Sequence, residues 1–235
     1  MKLSHQLAVL SLVMSASNFA FAGEKPSDIV GIKLGMTADQ VRATLKTHDP
    51  NMKIVDYANW KAAPGLPASL AKIRGCGTPM PGGVGPFDIC KDMVDISFGH
   101  ASKKVIFIKR QVRFDNNTML AKNIVSGLTE KFGAPTQQNK ENTYMLWAYN
   151  QDGSAINTNE CGISDLNLPF AEHRSHCANV YAASIRYGAG AFATEMSTNI
   201  YQSKLFFDEQ TAFNNAVNAD RADKEKAAKD NKVKF

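Results

Sequence analysis

Four cysteines in 235 residues is a low count, and none falls before Cys76. No two of them stand in C-x-x-C spacing, so the usual signatures of a thiol–disulfide exchanger and of a structural zinc site are missing. Glycine and proline are modest, at 16 and 9, which excludes collagen-like and low-complexity chains. Charge of one sign is also scarce: 27 Lys and Arg face 22 Asp and Glu, with no basic stripe of the kind a nucleic-acid binder needs. Beyond the N-terminus no apolar run approaches the about 20 residues of a membrane-spanning helix. A G-x-S-x-G nucleophile turn is absent as well. What remains is 44% hydrophobic, too apolar and too weakly charged for a disordered chain. Its length allows one or two domains of roughly 100–200 residues.

The first 22 residues read as a secretory signal peptide. Lys2 supplies the positive start, Leu7 to Met14 the short apolar core, and Ala20-Phe21-Ala22 an A-x-A cleavage site before Gly23. Removing them deletes one cation and no acid, leaving +4 of the formal +5. No cysteine stands at the cleavage point to take a lipid. The sequence therefore predicts an exported protein of the bacterial periplasm, or a secreted one, with no membrane span and no nucleic-acid partner.

Export changes the meaning of the cysteines. An even number in an oxidising compartment reads as disulfides. Four cysteines allow three pairings. Cys76–Cys90 and Cys161–Cys177 are favoured because each pair brackets one long irregular loop. In the chain-entropy picture each closure of about 15 residues contributes roughly 3 kcal/mol. A zinc site built from all the cysteines is the weaker alternative.

The pattern along the chain predicts a short strand over Ile29–Leu34, then a helix begun by Thr37. Thr37 and Gln40 have capping-box spacing, and Met36 can staple onto Val41. Val41 and Leu45 continue the apolar stripe, and Asp49-Pro50 ends it. A strand is expected over Met52–Trp60. The proline- and glycine-rich stretch 61–91 reads as a loop. Strands over 93–98 and 105–114 form a hairpin. A second helix runs from about Thr118 to Phe132, stopped by Gly133 and Pro135. Strands follow over 143–149 and 180–187, with a second loop, 157–177, between them. A last strand is placed over 198–207, and a helix capped by Asp208 passes into a charged tail after Asp220.

Helix, strand, cysteine loop, strand, strand thus occurs twice. The expected fold class is α+β, a tandem pseudo-repeat of a helix packed on antiparallel strands, with a C-terminal helix added. Residues 23–114 form the first half, 115–207 the second, and 208–235 the C-terminal helix and tail. The run Gly31-Ile32-Lys33-Leu34-Gly35-Met36-Thr37, followed by Val41 and Leu45, resembles a G-h-x-h-G-M-T helix start of small bacterial envelope proteins. Among these are the small lipoprotein of the outer-membrane barrel-assembly complex and the secreted β-lactamase inhibitory proteins. The resemblance implies helices against an antiparallel sheet, in tandem for the inhibitors, and a binding or assembly role. This chain departs from the lipoprotein in lacking a lipid-accepting cysteine and in its extra half.

Candidate chemistry is sparse. Glu172-His173-Arg174-Ser175-His176-Cys177 is the densest polar cluster, and His173, His176 and Glu172 (or Glu160) are the weak metal-ligand candidates. Paired cysteines leave no free thiolate to act as a nucleophile. The glycines around 75–85 lack the strand–loop–helix order of a phosphate cradle. Ser126-Gly127 lies inside a good helix. Trp60, Met80, Phe87 and Phe170, in or beside the two loops, are candidate contact residues. The sequence therefore predicts a non-catalytic module that binds another envelope or extracellular protein and takes no cofactor. A metal-dependent envelope enzyme using His173 and His176 is the first alternative, a structural envelope component the second.

Overall fold

A computed structural model describes residues 27–58, 69–82, 89–115, 118–156, 161, 177–188 and 190–230. The described elements are α1 (Ala38–His48), β1 (Lys53–Ala58), β2 (Leu70–Cys76), β3 (Asp92–Phe98), β4 (Val105–Arg113), α2 (Ala121–Phe132), β5 (Gln137–Gln138), β6 (Tyr144–Tyr149), β7 (Asn179–Tyr187), β8 (Ala193–Tyr201) and α3 (Ser203–Asp230). The strands make one 8-stranded sheet in the order β1-β2-β3-β4-β8-β7-β6-β5, with every neighbour antiparallel. The chain is thus α+β, and its last helix is C-terminal.

Two of the helices cover one face. Alternation along each strand sends every second side chain to that face, where Ile73, Val94, Ile96, Ile108, Met145, Trp147 and Ile200 join Val41 and Leu45 of α1 and Ile124 and Phe132 of α2. Trp147, Phe132 and Tyr181 pack as an aromatic group, with centroids 4.8 to 5.9 Å apart. The Trp147 indole donates to the Gly133 carbonyl at 3.1 Å and so ties the end of α2 to β6. Burial pushes the Tyr181 phenol up to about 12, so it stays neutral.

The start of α1 follows its sequence. The Gln40 amide donates to Thr37 Oγ1, and the Thr37 amide donates to Gln40 Oε1 at 2.9 Å, completing the capping box. Met36 packs against the cluster that buries Val41. The expected strand before it is instead a tight turn. Ile29 and Ile32 exchange backbone hydrogen bonds, and Val30 and Gly31 between them both have positive φ. A turn with two positive φ values favours glycine, and Gly31 takes one of them. Its two isoleucines are both buried, so the segment plugs the core rather than extending the sheet.

Three other expectations are corrected. β2 lies inside the stretch read as a loop. The last strand is β8, which ends at Tyr201 rather than Phe207, and α3 begins at Ser203, before Asp208. The helix α2 starts three residues later than Thr118, whose hydroxyl donates to the Asp115 carbonyl. The two-residue strand β5 was not foreseen.

The disulfides are Cys76–Cys90 and Cys161–Cys177, with sequence separations of 14 and 16. All four sulfurs are buried and no cysteine is free. Among the described residues, no helix is long and apolar enough to cross a membrane.

Candidate interaction face

The sheet face opposite α1 and α2 carries a band of charge. Cross-strand register aligns Lys72 and Arg74 of β2 with Ser97 and Asp95 of β3. It sets Asp95 beside Lys109 of β4, and Arg113 of β4 beside Glu195 of β8. Glu195 in turn stands beside Arg186 of β7. Because these positions alternate with core residues, their side chains share the face away from α1 and α2.

Two carboxylates organise the band. Arg74 grips Asp95 with two parallel bonds, Nε to Oδ1 at 2.6 Å and Nη2 to Oδ2 at 2.8 Å. Lys72 is 3.8 Å from the same carboxylate and lies over the Tyr57 ring at 4.5 Å. Glu195 accepts from Gln111 Nε2 at 2.5 Å and has Arg113 and Arg186 within 3.4 and 3.7 Å. Lys72, Arg74, Lys109, Arg113 and Arg186 outnumber Asp95 and Glu195, so the band is net positive.

Its centre is unsatisfied. Lys109 is half-buried, and among the described residues its ammonium has no hydrogen-bond or ion-pair partner. Burial lowers its ammonium below the ordinary lysine value, against the pull of Asp95 and Glu195. Asn199 Oδ1 and Ser197 Oγ on β8 are buried and, among the described residues, have no hydrogen-bond partners. Asn199 is the cross-strand neighbour of Lys109, and Ser197 lies opposite Gln111.

Both disulfides stand on this same face. Cys76 is in register with Met93, and with Cys90 these form a small buried cluster at the β2–β3 end. Cys161 and Cys177 cover Leu146, Ala148, Val180, Ala182 and Tyr201 at the β6–β7 end. The Tyr201 hydroxyl donates to the Cys161 carbonyl. The charged band therefore runs between two stapled ends.

The helix side carries a different polar group. Asp92 accepts from Arg110 at 2.9 and 2.7 Å, and His48 of α1 lies 3.3 Å away. Burial alone would raise the Asp92 carboxyl, but bonding and charge from Arg110, then His48, hold it below its ordinary value. This Asp92 is locked by a cation, which suits a structural tie between α1 and the sheet. A pocket of about 320 Å³ opens beside Lys33, Leu34, Tyr149 and Ile200; among the described residues no carboxylate or histidine lines it.

Of the residues singled out from sequence, Met80 is half-buried, and its backbone amide donates to the Ile89 carbonyl at 2.8 Å. Trp60, Phe87, Phe170, Glu160, Glu172, His173 and His176 lie outside the described residues, as does the signal segment. Among the described residues, no three His, Cys, Asp or Glu side chains are grouped to hold a metal ion. Sequence reading missed the charged band. Its signal was present in the alternation of Lys109, Gln111 and Arg113 with apolar neighbours in β4, but its β2 and β8 members sat in segments assigned to a loop or placed out of register. No family model, curated protein or solved structure matches the chain.

Proposed function

We propose that the protein is an exported, non-catalytic interaction module of the bacterial cell envelope, periplasmic or secreted, that binds another envelope or extracellular protein through the sheet face opposite α1 and α2, called the open face because Ser184 and Arg186 are exposed on it. The observation that carries this reading is the placement of both disulfides on that face, at either end of the charged band. Loops held on a rigid sheet commonly carry recognition, and each staple limits how far its loop can stray. Disulfides also belong to oxidising compartments, which agrees with the signal-like N-terminus.

In the same reading the chain is a tandem pseudo-repeat. Each half contributes one helix and four strands, and the halves meet where β4 pairs with β8 at the centre of the sheet. That arrangement favours the resemblance to tandem envelope modules over the single-unit lipoprotein.

A photo-crosslinking residue at Ser184, which is exposed on the open face, tests the proposal in the native envelope. The same residue at Lys122, exposed on α2, is the control. One defined protein captured from position 184 and not from position 122 is the expected outcome. No capture from position 184, or equal capture from both, overturns the reading. For the first loop, deletion of residues 77–89 should weaken that capture.

A further inference from the structure

At the centre of the open face, among the described residues, an ammonium and two buried side-chain oxygens lack hydrogen-bond partners, while the neighbouring carboxylates are held. Asp95 is held by Arg74, and Glu195 by Gln111 and the flanking arginines. Lys109, between them, feels the charge of both carboxylates, but among the described residues its ammonium has no hydrogen bond and no ion pair. Ser197 and Asn199, on the adjoining strand, each bury an oxygen that has no hydrogen-bond partner among the described residues. Buried polar groups are normally paired, and an unpaired charge is costlier than an unpaired dipole. A site of this composition is completed by a ligand that brings a negative charge and accepts hydrogen bonds.

We infer that the open face receives an acidic side chain of a partner protein, its carboxylate set against Lys109 and hydrogen-bonded by Ser197 and Asn199. The Ser197 hydroxyl rotates freely to donate, and half a turn of the Asn199 amide presents Nδ2 where Oδ1 now lies unpaired. The net positive band would steer acidic surfaces toward this gap. A run of phosphates fits less well, because Asp95 and Glu195 would face it. The inference rests on the reading of this face as an interaction surface.

The full chain, isotope-labelled at lysine, is titrated at low salt with a short poly-glutamate peptide. Poly-glutamine of equal length, inorganic phosphate and single-stranded DNA are run in parallel. The Lys109 side-chain resonances should shift saturably with poly-glutamate alone. Lys109→Met should weaken that binding about tenfold, while Lys109→Arg keeps it and Lys104→Met, on an exposed turn, leaves it unchanged. Lys109 resonances unmoved by poly-glutamate, or moved as much by phosphate or DNA, overturn the inference without any variant. Equal peptide affinity for Lys109→Met does the same. If position 184 still captures its partner but Lys109→Glu leaves capture undiminished, the acidic contact is wrong and the interaction face stands. Loss of capture in the native chain overturns the face itself.

Discussion

The two disulfides close loops of nearly equal length, with separations of 14 and 16, yet sit in unequal surroundings. Cys76–Cys90 packs with Met93 alone among buried neighbours. A bridge between Pro79 and Cys90 and the Arg113 contact to the Cys90 carbonyl at 3.2 Å hold its rim. Cys161–Cys177 instead forms the lid of a second small core over β6, β7 and β8. The Cys177 carbonyl also accepts from the Ser203 amide, the first residue of α3. Equal loop entropy therefore gives unequal structural consequence: one staple pins a loop, and the other also seals apolar surface and anchors a helix.

Replacing Cys161 and Cys177 by alanine should have the largest effect. Loop entropy and lost packing together should cost about 4 kcal/mol, toward the upper part of the range for native disulfides. The matching Cys76 and Cys90 replacement should cost about 3 kcal/mol, close to the entropic value alone. Urea unfolding of both variants checks the order. Equal losses would break the comparison, because burial around the second pair would then contribute nothing. Tyr201→Phe sharpens it further. Removing the hydroxyl leaves the buried Cys161 carbonyl without that donor and should cost about 1–2 kcal/mol, with the disulfide intact.

Pairing of the cysteines was legible because each pair brackets one irregular stretch. Helices α1 and α2 were legible because Val41 and Leu45, and Ile124, Leu128 and Phe132, keep a helical stripe facing the sheet. Strand β2 was not. Gly75 and the prolines nearby read as breakers, yet Gly75 is needed in the sheet. A Cβ there would lie 2.5 Å from Met52 Sδ and 3.1 Å from a methyl of Leu45 on α1. Its open-face residues Lys72 and Arg74 pair with ions rather than with a core, so half of the usual strand signal is polar. Strand β8 was displaced for a similar reason. Glu195 and Ser197 look like loop residues, while Leu205, Phe206 and Phe207 look like a strand. Phe206 is instead in the first turn of α3, packed on Ile106. The candidate site was the least legible part, because it comes into being only when β2, β3, β4, β8 and β7 lie side by side, which no local pattern records.

The smallest predicted effect separates the two staples by coupling rather than by size. Glu209 of α3 accepts from the Ala101 and Ser102 amides at 2.8 and 3.0 Å, which docks the helix on the β3–β4 turn. Burial alone would raise its carboxyl, but bonding from Ser102 and Ala101 outweighs burial and holds it below the ordinary 4.5. A depressed carboxylate stabilises the fold above its unfolded value, and that stabilisation is lost as pH falls through the folded value. Glu209→Gln should therefore cost about 1 kcal/mol at neutral pH, and the gap to the native chain should narrow as pH falls below 4.5. Because Ser203 ties the start of α3 to Cys177, the same substitution should cost less once Cys161 and Cys177 are gone, while keeping its full value without Cys76 and Cys90. A double-mutant cycle reads this difference directly. The same Glu209→Gln cost in both backgrounds would show that the second staple does not anchor α3, and its larger effect would then be packing alone.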